Sequence, residues 1–331
     1  MSNPIFIARQ DTLENDILPA QWLSHYKLFG EESYTFQDKE IWKKLCMSRA
    51  AANDRDMHAE ALEEMLTTFS AEHTGKWMLL VYGMDAADLN GLATMAAVAG
   101  NGTAMAAVAG NALLMHAITN SQTAMHAIAN SETAMQRIAN STTAMDAIGG
   151  SKIARDAVQA SPYYDAKIKE NDMAIAKLVV GFANLESARY SGCAGMAADS
   201  TAMTAVAASA TAMTAVAASA TAMGKIAAVD AALSKLAAST TAMDALYARK
   251  KQMKGGSASK SGKFIILEIS QSNAFNTSKY GYATLSDGSK PDWSSYLAKY
   301  AFFQKYPKYA TYMLNDTDSD DYIYYFDIAS P

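Results

Sequence analysis

A ten-residue phrase returns along this chain and limits what the chain can fold into. It reads NSQTAMHAIA at 120–129, NSETAMQRIA at 130–139 and NSTTAMDAIG at 140–149, then STAMTAVAAS at 200–209. Methionine marks the period at Met95, Met105, Met115, Met125, Met135 and Met145. It resumes at Met203, Met213, Met223 and Met243, with Leu233 filling the gap. So strict a period describes a stack of near-identical units, each touching mainly its neighbours. Such a chain suits length rather than a pocket, which argues against an enzyme.

Within each unit, Thr-Ala-Met-x-Ala-Ile/Val-Ala is helix-forming, and Asn-Ser or Asn-Gly interrupts it. Serine or glycine is expected as the N-cap of the next segment, and asparagine or glycine as a left-handed C-terminal residue. Methionine and the branched residue three places later fall on one face, so the repeat core is assigned to Met105, Met125, Met135, Met145, Met203, Met213 and Met223. A continuous helix would need about 3.33 residues per turn against about 3.6 in a relaxed one. Broken helices are therefore favoured in the first array, 91–160. The second, 199–254, carries Ala-Ala-Ser-Ala in place of Asn-Gly and tolerates a more continuous helix.

Half of the 331 residues are apolar, but much of that half is alanine and methionine, and only 9% are aromatic. Alanine buries little area, so association of several copies would supply the missing burial. The formal charge of −5 is mild and no basic patch points to nucleic acid. Cys46 and Cys193 form no disulfide framework, which fits a reducing cytoplasm. MSNPIFIARQ lacks the pattern of a secretory signal. The charge-free stretch 89–131 is broken by asparagines too often to span a bilayer, so no membrane insertion is expected.

The flanks differ from the repeats. Residues 1–90 form a charged head, with a variant capping box TFQD at 35–38 and amphipathic helices to either side of residue 50. KWMLLVY at 76–82 suits a strand or a buried helix equally. The connector 161–198 contains a helix whose spacing suits packing or a coiled coil. KGGSASKSGK reads as a flexible linker, centred on 255–262. In the tip, 263–331, FIILEI is a strand, WSSYLAKYAFFQKY a helix, and YATYMLN and YIYYFDI a hairpin around DTDSDD.

Little in the sequence carries chemistry. His116 and His126 repeat at one position, but other units place Ala, Gln, Asp or Thr there, which indicates a variable solvent site. No HExxH, CxxC, Walker or Gly-x-Ser-x-Gly pattern occurs, so no catalytic, cofactor-binding or metal residues are assigned. Asp316, Asp318, Asp320, Asp321 and Asp327 only partly match a calcium loop, lacking its glycine. Ten of the seventeen tyrosines lie from Tyr280 to Tyr325. Tyrosine offers an amphipathic ring at low entropic cost, which makes Tyr280, Tyr282, Trp293, Tyr322, Tyr324 and Tyr325 the candidate receptor contacts. A small tyrosine-built core is the alternative.

The SxTAMxAIAxS array resembles repeats of tail-fibre and related appendage proteins of tailed bacteriophages, over a little more than a third of the chain. The resemblance implies a homotrimer assembled in the host cytoplasm and carried on the virion. The head would attach to other tail or baseplate proteins, and the tip would bind a bacterial surface receptor, protein or glycan. The expected fold is mainly α and elongated, a short-helix repeat shaft of intertwined chains with a small α+β tip. A non-adhesive collar whisker, head fibre or connector is the alternative.

Overall fold

A computed structural model describes residues 95–270, 280–293, 297–316 and 321–331. The head, with its capping box and the KWMLLVY run, lies outside the described residues. The chain divides into two compact units, 1–167 and 168–331.

The first unit shows what the decapeptide does. Its described helices are α1 (Met95–Gly100), α2 (Gly102–Ala109), α3 (Ala112–Asn120), α4 (Gln122–Ala129), α5 (Glu132–Ala139), α6 (Thr142–Gly150), α7 (Lys152–Gln159) and the single turn α8 (Tyr164–Lys167). Each repeat is one helix of about two turns, begun by a side-chain cap: Asn101, Ser121, Ser131, Ser141 and Ser151 each accept from backbone N–H groups of the first turn. The third, fourth, seventh and eighth residues after the cap are buried, as in Ala134, Met135, Ile138 and Ala139, each 0% exposed. That is one stripe of an α-helix.

The stripes meet at a fixed spacing. α1 packs on α4, α2 on α5, α3 on α6 and α4 on α7, so three units complete one coil and each helix rests on the helix one coil away. Serine joins the coils: Ser131 Oγ donates to Ala99 O, 2.6 Å away and 32 residues earlier. Ser141, Ser151 and Ser161 do the same to Ala109, Thr119 and Ala129. Each serine thus caps its own helix as acceptor and satisfies an orphan C-terminal carbonyl as donor.

The second unit continues the scheme with a shifted phase. It contains α9 (Asp172–Phe182), a short 3₁₀ turn at Ser187–Arg189, α10 (Cys193–Ala198), α11 (Ser200–Ala208), α12 (Ala210–Ala218), α13 (Ala220–Ala227), α14 (Asp230–Ala237) and α15 (Thr240–Ala248). Packing again runs three helices apart, α9 on α12, α10 on α13, α11 on α14 and α12 on α15. Then come β1 (Lys251–Lys254), β2 (Ala258–Ser270), β3 (Tyr280–Leu285), β4 (Asp292–Trp293), α16 (Ala301–Lys305), β5 (Ala310–Asp316) and β6 (Tyr322–Asp327). The strands form one antiparallel sheet in the order β1-β6-β2-β5-β3-β4. One face carries a core of Phe264, Ile266, Met313, Ile323 and Tyr325, closed by Phe302 of α16. Ile265 and Phe326 are buried on the other face, where α15 packs on β6.

Several expectations are overturned. The mainly-α elongated shaft of intertwined chains gives way to an α/β fold, with sixteen helices and a six-stranded antiparallel sheet among the described residues and many contacts between residues distant in sequence. One chain buries the methionine stripe by coiling on itself, so the burial argument for a homotrimer falls away. Met105, Met125, Met135, Met145, Met203, Met213 and Met223 are all 0% exposed. The second array is no more continuous than the first: α11 and α12 meet at a bend of 101°, because Ser209 starts a new helix there. The residues ending these helices are not left-handed, with φ −83° at Gly110 and −91° at Asn130. The first cap is Asn101 rather than Gly102.

In the connector, α9 is buried on every side from Ala174 to Phe182, as a central helix is and a coiled coil is not. The supposed linker is sheet, since β1 and β2 take up most of it. β5 and β6 are not a hairpin, because β2 lies between them. Of the helix expected over 293–306, only Ala301–Lys305 is helical among the described residues. Trp293 belongs to β4, and Tyr300 stands at φ +72° just before α16.

Candidate binding face

Strand alternation sorts the side chains of β1 and β6. Gln252 lies opposite Tyr324 and Lys254 opposite Tyr322, so these four share one face. Lys250, two residues before Gln252, extends the row, with Nζ 5.6 Å from the centre of the Tyr324 ring. On the other side of β6, Glu268 lies opposite Tyr324 and Ser270 opposite Tyr322. Lys251 and Met253 turn the other way, to Asp327 and to the core. Lys250, Gln252 and Lys254 are exposed, and Tyr322 and Tyr324 half-buried.

The aromatic rings form a ladder. Tyr322 stacks on Tyr324 at 6.2 Å and an interplanar angle of 22°. Tyr324 leans on Tyr247 of α15 at 6.4 Å, and Tyr247 meets Tyr300 edge-on at 5.7 Å. Lys250 lies 4.1 Å from the Tyr247 ring and Lys299 4.4 Å from it, both within cation–π range. The Tyr247 hydroxyl donates to Glu268, and burial together with that bond pushes its pKa up. The Tyr300 hydroxyl donates to Asp244. That bond, reinforced by Lys299, holds Asp244 below the usual carboxylate range.

Of the sequence-derived candidates, the structure brings Tyr322 and Tyr324 together and leaves the rest elsewhere. Tyr282 is half-buried against Tyr312 on β5, two strands from β6. Tyr280 pairs through its backbone with Asp316. Trp293 and Tyr325, 3% and 5% exposed, are core residues and not surface contacts. Trp293 lies over Gly281, where an added Cβ would come within 2.3 Å of the indole nitrogen. Tyr325 packs on Phe264 at 5.2 Å. Sequence reading missed Tyr247, Lys250, Gln252 and Lys254; the alternating polar run KQMK was a signal for Gln252 and Lys254 alone.

The remaining chemistry is sparse. Among the described residues no three His, Cys, Asp or Glu side chains gather as a metal site. Asp316 is bound by the Ser257 hydroxyl and Asp327 pairs with Lys251, while Asp318 and Asp320 lie outside the described residues. A groove of about 430 Å³ between α4 and α7 is lined by His126, Ile153, Asp156 and Ser161, among others. Its one hydroxyl, Ser161 Oγ, is committed to Ala129 O, which leaves no activated nucleophile. Burial pushes the Cys193 thiol up, away from a reactive thiolate. No single described helix is long and apolar enough to cross a membrane. Compared with protein-family models and with curated proteins, the chain matches none.

Proposed function

We propose that the chain is a structural appendage protein of a tailed bacteriophage, attached to the particle by residues 1–90, with the β1/β6 face as its contact with the host surface. One observation carries this reading. The recurring alanine, methionine and branched residues of the repeat are consumed by its core and the first array's serines by its joints, whereas Lys250, Gln252, Lys254, Tyr322 and Tyr324 form an open face. The repeat is then scaffold, and recognition sits apart from it. The resemblance of the decapeptide to phage appendage repeats supplies the biological setting.

The test is mass spectrometry and immunogold electron microscopy on purified particles produced from the genome that encodes the chain. Stoichiometric presence with label on an appendage supports the reading, and absence from the particles refutes it.

A second reading gives the sheet a capping role only. Lys308 pairs with Asp230 of α14, Lys299 with Asp244 of α15, and Glu268 with Tyr247. These links close the end of the array, and repeat stacks need such caps. Binding of the intact protein to host cells separates the two: if neither it nor its Tyr322→Ala variant binds cells, the cap reading stands.

A further inference from the structure

We infer that the Lys250–Gln252–Lys254 row and the Tyr322–Tyr324 pair bind an anionic polysaccharide, an extended chain of sugars carrying carboxylate or phosphate groups. This rests on the adhesive reading above and names the ligand of that face.

Charge complementarity comes first. Neither Lys250 nor Lys254 pairs with a carboxylate among the described residues. Three described acids nearby are already engaged. Glu268 accepts from Tyr247, Asp316 from Ser257, and Asp327 pairs with Lys251. Two exposed ammonium groups therefore have no carboxylate partner among the described residues. Their α-carbons lie four residues apart on an extended segment, about 13 Å, which one monosaccharide cannot bridge.

Ring geometry then selects between polyanions. Tyr322 and Tyr324 stand against one another, and the far side of Tyr324 meets Tyr247 and Lys250. Tyr324 is thus flanked on both sides and Tyr322 on one, so the pair is a poor platform for successive nucleobases, which bind by stacking. What they offer is phenol edges, whose hydroxyls have no partner among the described residues. With the Gln252 amide between the lysines, the face presents hydroxyl, amide and ammonium groups in a row. An acidic glycan, rich in hydroxyls and carrying anions at intervals, complements that row.

The test uses immobilised full-length protein at physiological salt with three probes: polygalacturonate, neutral dextran and a single-stranded DNA oligonucleotide. Polygalacturonate is expected to bind, weakening as salt rises, while dextran does not bind and DNA binds more weakly. Lys250→Ala with Lys254→Ala is expected to weaken polygalacturonate at least about tenfold, and Tyr322→Phe to weaken it a few-fold. Lys152→Ala, an exposed repeat lysine, leaves it unchanged. Equal binding of dextran, stronger binding of DNA, or face variants that behave as wild type would each overturn the inference. Because the particle assay does not depend on the ligand, failure here leaves the appendage reading separately testable.

Discussion

Ser141 donates its hydroxyl to the carbonyl of Ala109, 32 residues earlier, while accepting from the backbone N–H of Ala144 at 3.1 Å. One side chain thus ends a helix in one coil and begins a helix in the next. Ser141→Ala removes both bonds and leaves the Ala109 carbonyl part-buried. The expected loss is about 1–2 kcal/mol in urea unfolding. Ser141→Asn retains a cap and should lose less, and Thr142→Ala, on the exposed surface, should change little.

The methionine stripe gives a larger contrast. Met135 is fully buried and Gln136 exposed. Met135→Ala should cost about 2–5 kcal/mol through lost contacts and a residual cavity, whereas Gln136→Ala should stay within about 0.5 kcal/mol. The same denaturant series reads both.

Arg155 occupies the position that methionine fills in other units, 9% exposed, with its guanidinium donating to Gly149 O at 2.7 Å. Burial opposes its charge and outweighs the help of Asp156, so its pKa is lowered. Arg155→Met restores the apolar stripe and should raise stability by about 1 kcal/mol. A lower unfolding midpoint would show instead that the Gly149 bond is worth more than the stripe.

Glu170 begins α13 in an unusual way. Its carboxylate accepts from the backbone of Ala220 at 3.1 Å and of Thr221 at 2.8 Å, at a helix N-terminus. Burial alone would raise its pKa, but the hydrogen bonds from Thr221 and Ala220 and the charge of Lys169 outweigh it and leave it lowered. A depressed carboxylate adds stability above its unfolded pKa and loses it as pH falls through the folded value. The chain should therefore lose stability on acidification below the normal glutamate range. Glu170→Gln should be less stable than wild type at neutral pH, with the gap closing in acid.

The local content of the repeat was legible in its sequence; its partnership was not. The spacing of Ala134, Met135, Ile138 and Ala139 showed a two-turn helix with one apolar stripe. A ten-residue period says nothing about what that stripe faces, because an intertwined chain and a later coil of the same chain bury it equally well. Ser131 reads as a cap from sequence, yet its second bond, to Ala99, exists only once the coil closes.

The sheet shows the same division. The strands at FIILEI, YATYMLN and YIYYFDI were readable from β-branched and aromatic content. Their order was not, since β2 enters between β5 and β6 from far along the chain. The KGGSASKSGK segment has the composition of a linker, yet it runs from the edge strand β1 into β2, on the far side of β6, a placement no local pattern reveals. Trp293 looked like a contact because nothing local reveals that Gly281 makes room for it.

The claim that one chain closes its own repeat core is tested most directly by thermal unfolding of the intact protein, followed by its far-UV helical signal over about a hundredfold range of concentration. A self-closed coil predicts a midpoint that does not move. A midpoint that climbs with concentration would show that the methionine stripe is buried between chains, and would contradict the account.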